Sequence, residues 1–149
     1  QRFIGRSLRG GIDLNKFPGY TLYIDCDVIN ADGGTRTASI TGAYIAAAMA
    51  FKKYMEEGKI KKNPIREYVA AISVGLVQNQ AIADLNYAED SNAYCDMNVV
   101  ATETGNIIDI QASGEGGSFP REKFDKLLTM AMDNIKDLIV LQKKIVSEN

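Results

Sequence analysis

The chain has 149 residues, of which 46% are hydrophobic and 24% charged, and its formal net charge is −2. This is the composition of a globular protein with one core or two small sub-domains, and its charge excludes nucleic-acid binding by bulk attraction. The sequence contains no histidine. Histidine-activated serine or cysteine nucleophiles and two-histidine zinc sites are therefore excluded, which leaves carboxylates, cations, backbone donors and oxygen-ligated metals.

Membrane and cysteine chemistry are also constrained by the sequence. The longest apolar run covers residues 42–51, about half of the roughly 20 residues that a membrane-spanning helix needs. No charged-then-apolar leader precedes it, so we expect a cytoplasmic protein without a membrane partner. Cys26 and Cys95 match no metal-binding spacing, and we predict that both are reduced thiols in strand interiors.

The first part of the chain is predicted to run helix, strand, helix. Phe3, Ile4 and Leu8 recur at helical spacing before paired glycines, which predicts a short helix ending there. Alternation of apolar and polar residues in "TLYIDCDVI", residues 21–29, predicts a strand. A long buried helix is predicted from about Thr35 to residue 57, closed by a glycine.

Three arginines of the first helix, Arg2, Arg6 and Arg9, fall near one another at helical spacing. A stripe of this kind is either a solvated face or a contact for phosphate or carboxylate groups. We keep both interpretations and treat the three side chains as candidate RNA contacts.

The remainder is predicted to form four strands and a final helix. The strand-like runs cover residues 68–77, 80–87, 94–103 and 106–113. We expect a hairpin turn at residues 79–80 and a second turn at residues 104–105. A helix that starts at Pro120 presents one apolar face. The whole is an α+β layer fold in which one antiparallel four-strand unit packs with two long helices.

A first candidate site lies at the predicted strand-to-helix junction "NADGGTRTAS", residues 30–39. The run Asp32-Gly33-Gly34 lets the backbone turn tightly and expose N–H groups, Thr35 is suited to cap the helix, and Arg36 offers a planar fork of donors. Together they predict an anion site at a helix N-terminus. The alternative is a capped turn whose arginine faces solvent. The spacing is not that of a P-loop.

A second candidate site lies in "AEDSNAYCDMNVV", residues 88–100, where carboxylates crowd against a strand. A turn at residues 91–92 brings Asp90 and Asp96 together, and leaves Asp96 and Asn98 on one strand face while Met97 points to the core. Two carboxylates so placed suit a partly hydrated Mg²⁺ or acid–base catalysis by a pair with separated pKa values. The alternative is a solvated acidic loop.

Residues 24–43 and 86–116, which contain these two sites, closely resemble the ribonuclease PH family of phosphate-dependent 3′ exoribonucleases that trim tRNA precursors. "QRFIGRSLR" at residues 1–9 and "SFPREKFDKLLTMA" at residues 118–131 are similar to the same family, so the resemblance covers essentially the whole chain. It implies a ribonuclease PH-like fold and phosphorolysis, in which inorganic phosphate releases nucleoside diphosphates from RNA 3′ ends with help from Mg²⁺. It also implies that Gly34, Thr35 and Arg36 bind phosphate, and that Asp90 and Asp96 are the essential aspartates, as metal ligands, proton donors or both.

The sequence departs from the family pattern in three respects. Tyr94 and Cys95 replace an acidic residue and a threonine, and residues 112–119 vary a stretch that usually reads Gly-Thr-Ala-Glu-Gly. The chain also begins in mid-family, without roughly the first third. We therefore expect residues 1–149 to be a single, N-terminally truncated catalytic domain that has little activity alone. The family's assembly implies a homo-oligomer, a hexameric ring of dimers, or association with the missing N-terminal segment.

Two other functions share this fold or these residues. One is a non-catalytic, exosome-type ring subunit that serves as an RNA-binding scaffold. The other is a metal-dependent hydrolase using the same aspartates. The presence of both the anion loop and the two aspartates favours the phosphorolytic enzyme.

Overall fold

The computed structural model of the protein describes residues 2–148. Its helices are α1 (Arg2–Gly11), α2 (Thr35–Glu56), α3 (Tyr87–Ser91) and α4 (Arg121–Glu148), with a 3-10 turn at Leu14–Lys16. Its strands are β1 (Val69–Val77), β2 (Gln80–Ala83), β3 (Cys95–Thr102) and β4 (Ile107–Ser113). The strands form one antiparallel sheet in the order β2-β1-β3-β4. The predicted α+β layers are confirmed.

The central strands β1 and β3 are covered on both faces. One set of alternate residues, which includes Met97 and Val99, packs against α4. The other set packs against α1 and α2, and includes Val69, Ala71 and Val100. Because side chains alternate across a strand, the second face also carries Ser73, Asn98 and Asp96. This face is where the candidate site forms.

The final helix presents the face that its periodicity predicts. Its buried residues are Leu127, Ala131, Ile135, Ile139, Gln142 and Val146. Gln142 is polar but buried, because its side-chain amide donates to Val69 O at 2.9 Å and to Thr41 O at 3.0 Å. This single amide therefore links α4 to both β1 and α2.

The predicted strand at residues 21–29 is wrong. The segment is irregular, although Leu22 and Ile24 are half-buried while Tyr23 between them is 84% exposed, as the alternation indicates. A strand needs a neighbour for its backbone hydrogen bonds, and within residues 2–148 none lies beside this segment. Hollows of about 680 Å³ and 800 Å³ flank it, towards α2 and α1 respectively.

Both cysteines are free thiols, as predicted, but the predicted position in a strand interior is correct only for Cys95 and wrong for Cys26. Cys95 is buried in β3, whereas Cys26 is exposed on the irregular segment. Burial raises the pKa of the Cys95 thiol, which keeps it protonated and inert at neutral pH. Cys26 loses the expected burial because no strand covers residues 21–29.

Two local predictions also need correction. The hairpin turn lies at Gln78 and Asn79, both with positive φ as a two-residue primed turn requires, one residue earlier than expected. The second predicted strand stops at Ala83, because Asp84 has φ 56° and α3 begins soon afterwards. No helix within residues 2–148 has the length and apolarity needed to cross a membrane.

Candidate functional site

The N-terminus of α2 is an open donor cluster. Gly34 is the N-cap residue, in the left-handed conformation with φ 67°, and it provides no side-chain cap. The prediction that Thr35 caps the helix is wrong, since Thr35 is already its first residue. The first intrahelical bond runs from Ala38 N to Gly34 O at 3.0 Å. By helix geometry, the N–H groups of residues 35–37 therefore point out of the helix end without intrahelical partners.

The two glycines before α2 allow the loop to sit directly on its neighbours. A Cβ on Gly33 would lie 1.9 Å from Leu85 O, and a Cβ on Gly34 would lie 2.9 Å from Ser73 Oγ. Ser73 is 4% exposed on β1, and its hydroxyl has no hydrogen-bond partner within the described chain. The loop is thus held against β1 and the start of α3 by close backbone packing.

Arg36 projects from the first turn of α2 and is exposed. Its guanidinium carbon lies 6.0 Å from the centroid of the Phe3 ring on α1, a distance at which a cation–π contact is weak. Arg36 therefore lies beside α1 with its planar donors exposed. Such a fork matches the oxygens of phosphate.

The arginine stripe on α1 is divided by the structure. Arg6 forms an ion pair at 3.1 Å with Asp109 on β4, whose side chain is only 9% exposed. This pair holds α1 against the sheet edge. Arg2 and Arg9 are exposed, so their role as RNA contacts stays a prediction.

Asp96 and Asp90 are the two carboxylates that the sequence predicts for the site. Asp96 is half-buried near the start of β3, paired in register with Gly75 and Ser113, while Asp90 is exposed on α3. The predicted turn between them is confirmed, because α3 ends at Ser91 and Ala93 N donates to Asp90 O at 3.2 Å. The predicted facing of Asp96 and Asn98, opposite Met97, is also confirmed.

Burial raises the pKa of the Asp96 carboxyl above its ordinary value. The negative charges of Asp90 and Glu115 raise this pKa further, whereas the positive charge of Arg36 lowers it. Asp90, Glu115 and Arg36 therefore each lie within electrostatic reach of Asp96. A carboxyl with a raised pKa is suited to hold a proton for transfer.

Glu115 is a site residue that the sequence analysis did not single out. It lies on the loop at residues 114–118, which Tyr94 holds in place. The Tyr94 hydroxyl donates to Ser118 O at 2.9 Å, and Gly116 N donates to Tyr94 O at 3.0 Å. The two sequence departures noted at Tyr94 and at residues 112–119 thus contact each other. The fact that both stretches depart from the family pattern was the sequence signal that could have pointed to this loop and Glu115.

The acidic side of the site offers oxygen ligands of the kind that Mg²⁺ prefers, since this ion typically takes one or two carboxylates and completes its octahedral shell with water and substrate phosphates. Asp90 lies within electrostatic reach of Asp96, and a bound cation would offset the part of the Asp96 pKa increase that comes from this like charge. No group of three or more acidic or cysteine side chains among residues 2–148 is arranged to hold a metal.

Comparison with protein families gives two consecutive matches. Residues 1–52 match the model described as "3′ exoribonuclease family, domain 1", and residues 67–134 match "3′ exoribonuclease family, domain 2". Together they cover most of the chain.

Curated relatives named ribonuclease PH match along the whole chain. Those of Bacillus pumilus and Bacillus subtilis are 52% and 51% identical over 149 and 150 residues. These matches cover 99% and 100% of this chain but only 62% and 61% of the relatives. The chain therefore spans about three fifths of their length.

Solved structures share the fold at low sequence identity. The archaeal exosome core superimposes with a TM-score of 0.71 at 21% identity, over 95% of this chain and 61% of that one. The rice (Oryza sativa) Rrp46 structure gives 0.73 at 16% identity, over 97% and 62%. A third neighbour is an Archaeoglobus fulgidus exosome with RNA bound to the active site, with a TM-score of 0.67 at 21% identity, over 92% and 57%.

Proposed function

Because the chain belongs to the 3′ exoribonuclease family, we propose that it supplies the catalytic site of a phosphate-dependent enzyme that trims the 3′ ends of tRNA precursors in the cytoplasm. The observation that carries the proposal is the meeting of two parts on one sheet face. The uncapped helix end with Arg36 offers donors for an anion, and the Asp96 carboxyl lies within electrostatic reach of Arg36.

The reaction is a phosphoryl transfer. An oxygen of inorganic phosphate forms a bond to the phosphorus of the terminal nucleotide, and the bond from that phosphorus to the 3′ oxygen of the preceding nucleotide breaks. The terminal nucleotide leaves as a nucleoside diphosphate, and the freed 3′ oxygen takes a proton. Such a step depends mainly on positioning and on stabilising the charge of the transferred group.

Each candidate residue has a part in this step. The backbone N–H groups at the start of α2 and the Arg36 guanidinium bind the attacking phosphate, with Gly34 and Thr35 forming the turn that presents them. Asp96, whose pKa is raised, holds a proton for the leaving 3′ oxygen. In its ionised form, Asp96 would hold a metal ion together with Asp90. A bound Mg²⁺ supplies charge neutralisation and polarisation of phosphoryl oxygens.

We propose the exposed arginines of α1, Arg2, Arg6 and Arg9, as RNA contacts, although Arg6 also forms an ion pair with Asp109. The net charge of −2 leaves little general attraction for RNA. We therefore expect further basic surface to come from other subunits of a homo-oligomeric ring or from a segment equivalent to the unmatched part of the relatives.

The flanks of residues 21–29 are where such a segment would pack. Hollows lie on both sides, the backbone has no strand partner among the described residues, and Ile29 and Tyr23 are 96% and 84% exposed. We propose that an added strand pairs with this segment and fills the hollows. The chain alone then has little trimming activity.

The proposal is tested by supplementing the chain with the residues of the Bacillus subtilis relative that it does not match. A tRNA precursor is incubated with the chain alone and with the supplemented chain, with and without phosphate, and the products are separated by chromatography. We expect nucleoside diphosphates only from the supplemented chain with phosphate. Nucleoside monophosphates released without phosphate would identify a hydrolase instead, and no product at all would favour a scaffold subunit.

A further inference from the structure

A single carboxylate oxygen connects the two halves of the site. Asp32 Oδ1 accepts a hydrogen bond from Gly33 N at 2.9 Å and another from Tyr87 N. Gly33 belongs to the loop that leads into α2, and Tyr87 is the first residue of α3, which carries Asp90. A carboxylate oxygen has lone pairs for two such donors. Segments 55 residues apart are thereby joined through one atom.

The short helix α3 depends on contacts from outside. It has five residues, too few to persist through its own hydrogen bonds. Asn86 and Glu89 satisfy each other in a capping box at 2.9 Å in both directions. The first helical donor, Tyr87 N, is satisfied by Asp32 across the site, and a negative charge at this end also favours the helix.

Close packing sets the geometry of this bond. Gly33 lies so near the Leu85 carbonyl that an added Cβ would come within 1.9 Å of its oxygen. Leu85 is itself 1% exposed, and its side chain covers Gly75, where an added Cβ would lie 2.6 Å from Leu85 Cδ1. The residues that lead into α3 thus pack on β1, and the loop before α2 packs on those residues. Asp32 adds a hydrogen bond between this loop and the first residue of α3.

We propose that Asp32 is a positioning residue that fixes α3, and therefore Asp90, relative to the anion loop. The inference rests on the proposed function, because its consequence is the spacing between a phosphate held by Arg36 and the carboxylates opposite. Asp32 itself acts through backbone donors and does not need to touch the substrate. Its carboxylate is suited to this task because one oxygen accepts both bonds.

The test is amide hydrogen exchange on the full 149-residue chain, with and without inorganic phosphate. Asp32→Ala removes the acceptor, and Asp32→Asn keeps an oxygen acceptor but removes the charge. Asp27→Ala, an exposed carboxylate five residues earlier, is the matched control. Amides of α4 on the other face of the sheet report whether the whole fold has changed.

We expect exchange at residues 87–91 to rise about tenfold in Asp32→Ala, the size of a lost helix cap, and less in Asp32→Asn. Exchange in α4 stays unchanged, and Asp27→Ala behaves as the original chain. Phosphate slows exchange at residues 87–91 in the original chain, and this effect is lost in Asp32→Ala.

Three results would overturn the inference. Unchanged exchange at residues 87–91 in Asp32→Ala would show that the bond does not hold α3. A parallel rise in α4 would show a general stabilising role. Equal phosphate protection of α3 with and without Asp32 would show that the two halves are coupled elsewhere. If phosphate does not bind the original chain, the anion site fails, while exchange measured without phosphate still decides the role of Asp32.

Discussion

The two faces of the central strands differ in a way that separates stability from chemistry. Towards α4 the face is apolar along its length, from Ala70 to Leu76 on β1 and across the neighbouring residues of β3. Towards α2 the face is apolar only at one end, at Val69, Ala71 and Val100, and polar at the other. The central strands thus contribute an apolar core along the whole of one face. On the other face they contribute apolar core residues at one end and the polar residues of the candidate site at the other.

The difference shows how a small sheet can tolerate the destabilising effect of buried polar groups. Ser73 and Asn98 are 4% and 7% exposed, and unsatisfied polar groups in such positions destabilise a fold. The long α4 packs the opposite face without interruption, so that face carries most of the apolar burial. The polar end is then free to receive the N-terminus of α2.

The largest effect should come from breaking the α4 face. Leu127 is 1% exposed, and Leu127→Ala should lower the free energy of unfolding by about 3 kcal/mol through lost burial and a residual cavity. Chemical denaturation measures this change. Leu141→Ala, at a position 51% exposed on the same helix, should change it little; equal losses would contradict the assignment of the core to this face.

A substitution at the polar end of the face towards α2 should remove activity without lowering the free energy of unfolding. Asp96→Asn should lower nucleoside diphosphate release by the supplemented chain about 100-fold, the typical contribution of a proton-transferring group. Because the folded-state pKa of Asp96 is raised, its ionised form destabilises the fold at neutral pH, so the free energy of unfolding without metal should not fall. Asp137→Asn on α4 is the control, and intact turnover in Asp96→Asn would remove Asp96 from the site.

A smaller pair of changes compares the faces at adjacent residues of β1. Val74→Ala, on the α4 face at 0% exposure, should cost about 2 kcal/mol of unfolding free energy. Ser73→Ala removes a buried hydroxyl without a partner in the described chain and should leave stability equal or about 1 kcal/mol higher. Thermal and chemical unfolding decide this, and a large loss at Ser73 would mean that its hydroxyl is satisfied in solution.

The smallest effect concerns the ion pair between Asp13, which follows α1, and Arg66, which precedes β1. Arg66 bonds Asp13 at 3.1 Å and lowers the pKa of its carboxyl. A lowered folded-state pKa gives stability that is present above the unfolded value and lost as the pH falls through the folded one. Asp13→Asn should therefore be slightly less stable than the original chain at pH 7, and the difference should disappear as the pH falls through the lowered folded-state pKa of Asp13. A difference that persists below that pKa would contradict this linkage.

Much of the fold follows from periodicity in the sequence. The faces of α2 and α4, and the placement of Asp96 and Asn98 opposite Met97 on β3, were predictable because helices and strands repeat every 3.6 and 2 residues. Gly58 follows the end of α2 and Gly105 lies in a turn, as predicted. Both have positive φ, 69° and 84°, which glycine adopts without a steric penalty.

Other features depend on information that local patterns lack. Residues 21–29 alternate like a strand, but pairing needs a partner that the described residues do not place there. Helix α3 had an available signal, the Asn86-x-x-Glu89 capping box, which the extended-strand interpretation overlooked. Asp32 lies within the predicted anion loop, but its bond to Tyr87 is a tertiary contact across 55 residues that local patterns do not show.

The central claim is that the anion loop and the carboxylates form one phosphate-using site. It is tested most directly by measuring nucleoside diphosphate release from tRNA precursor by the supplemented chain as phosphate is raised from zero. We predict saturable release that starts from zero, with Arg36→Ala needing about tenfold more phosphate for half-maximal rate and Arg121→Ala unchanged. Phosphate dependence that is the same in Arg36→Ala as in the original chain would contradict the account.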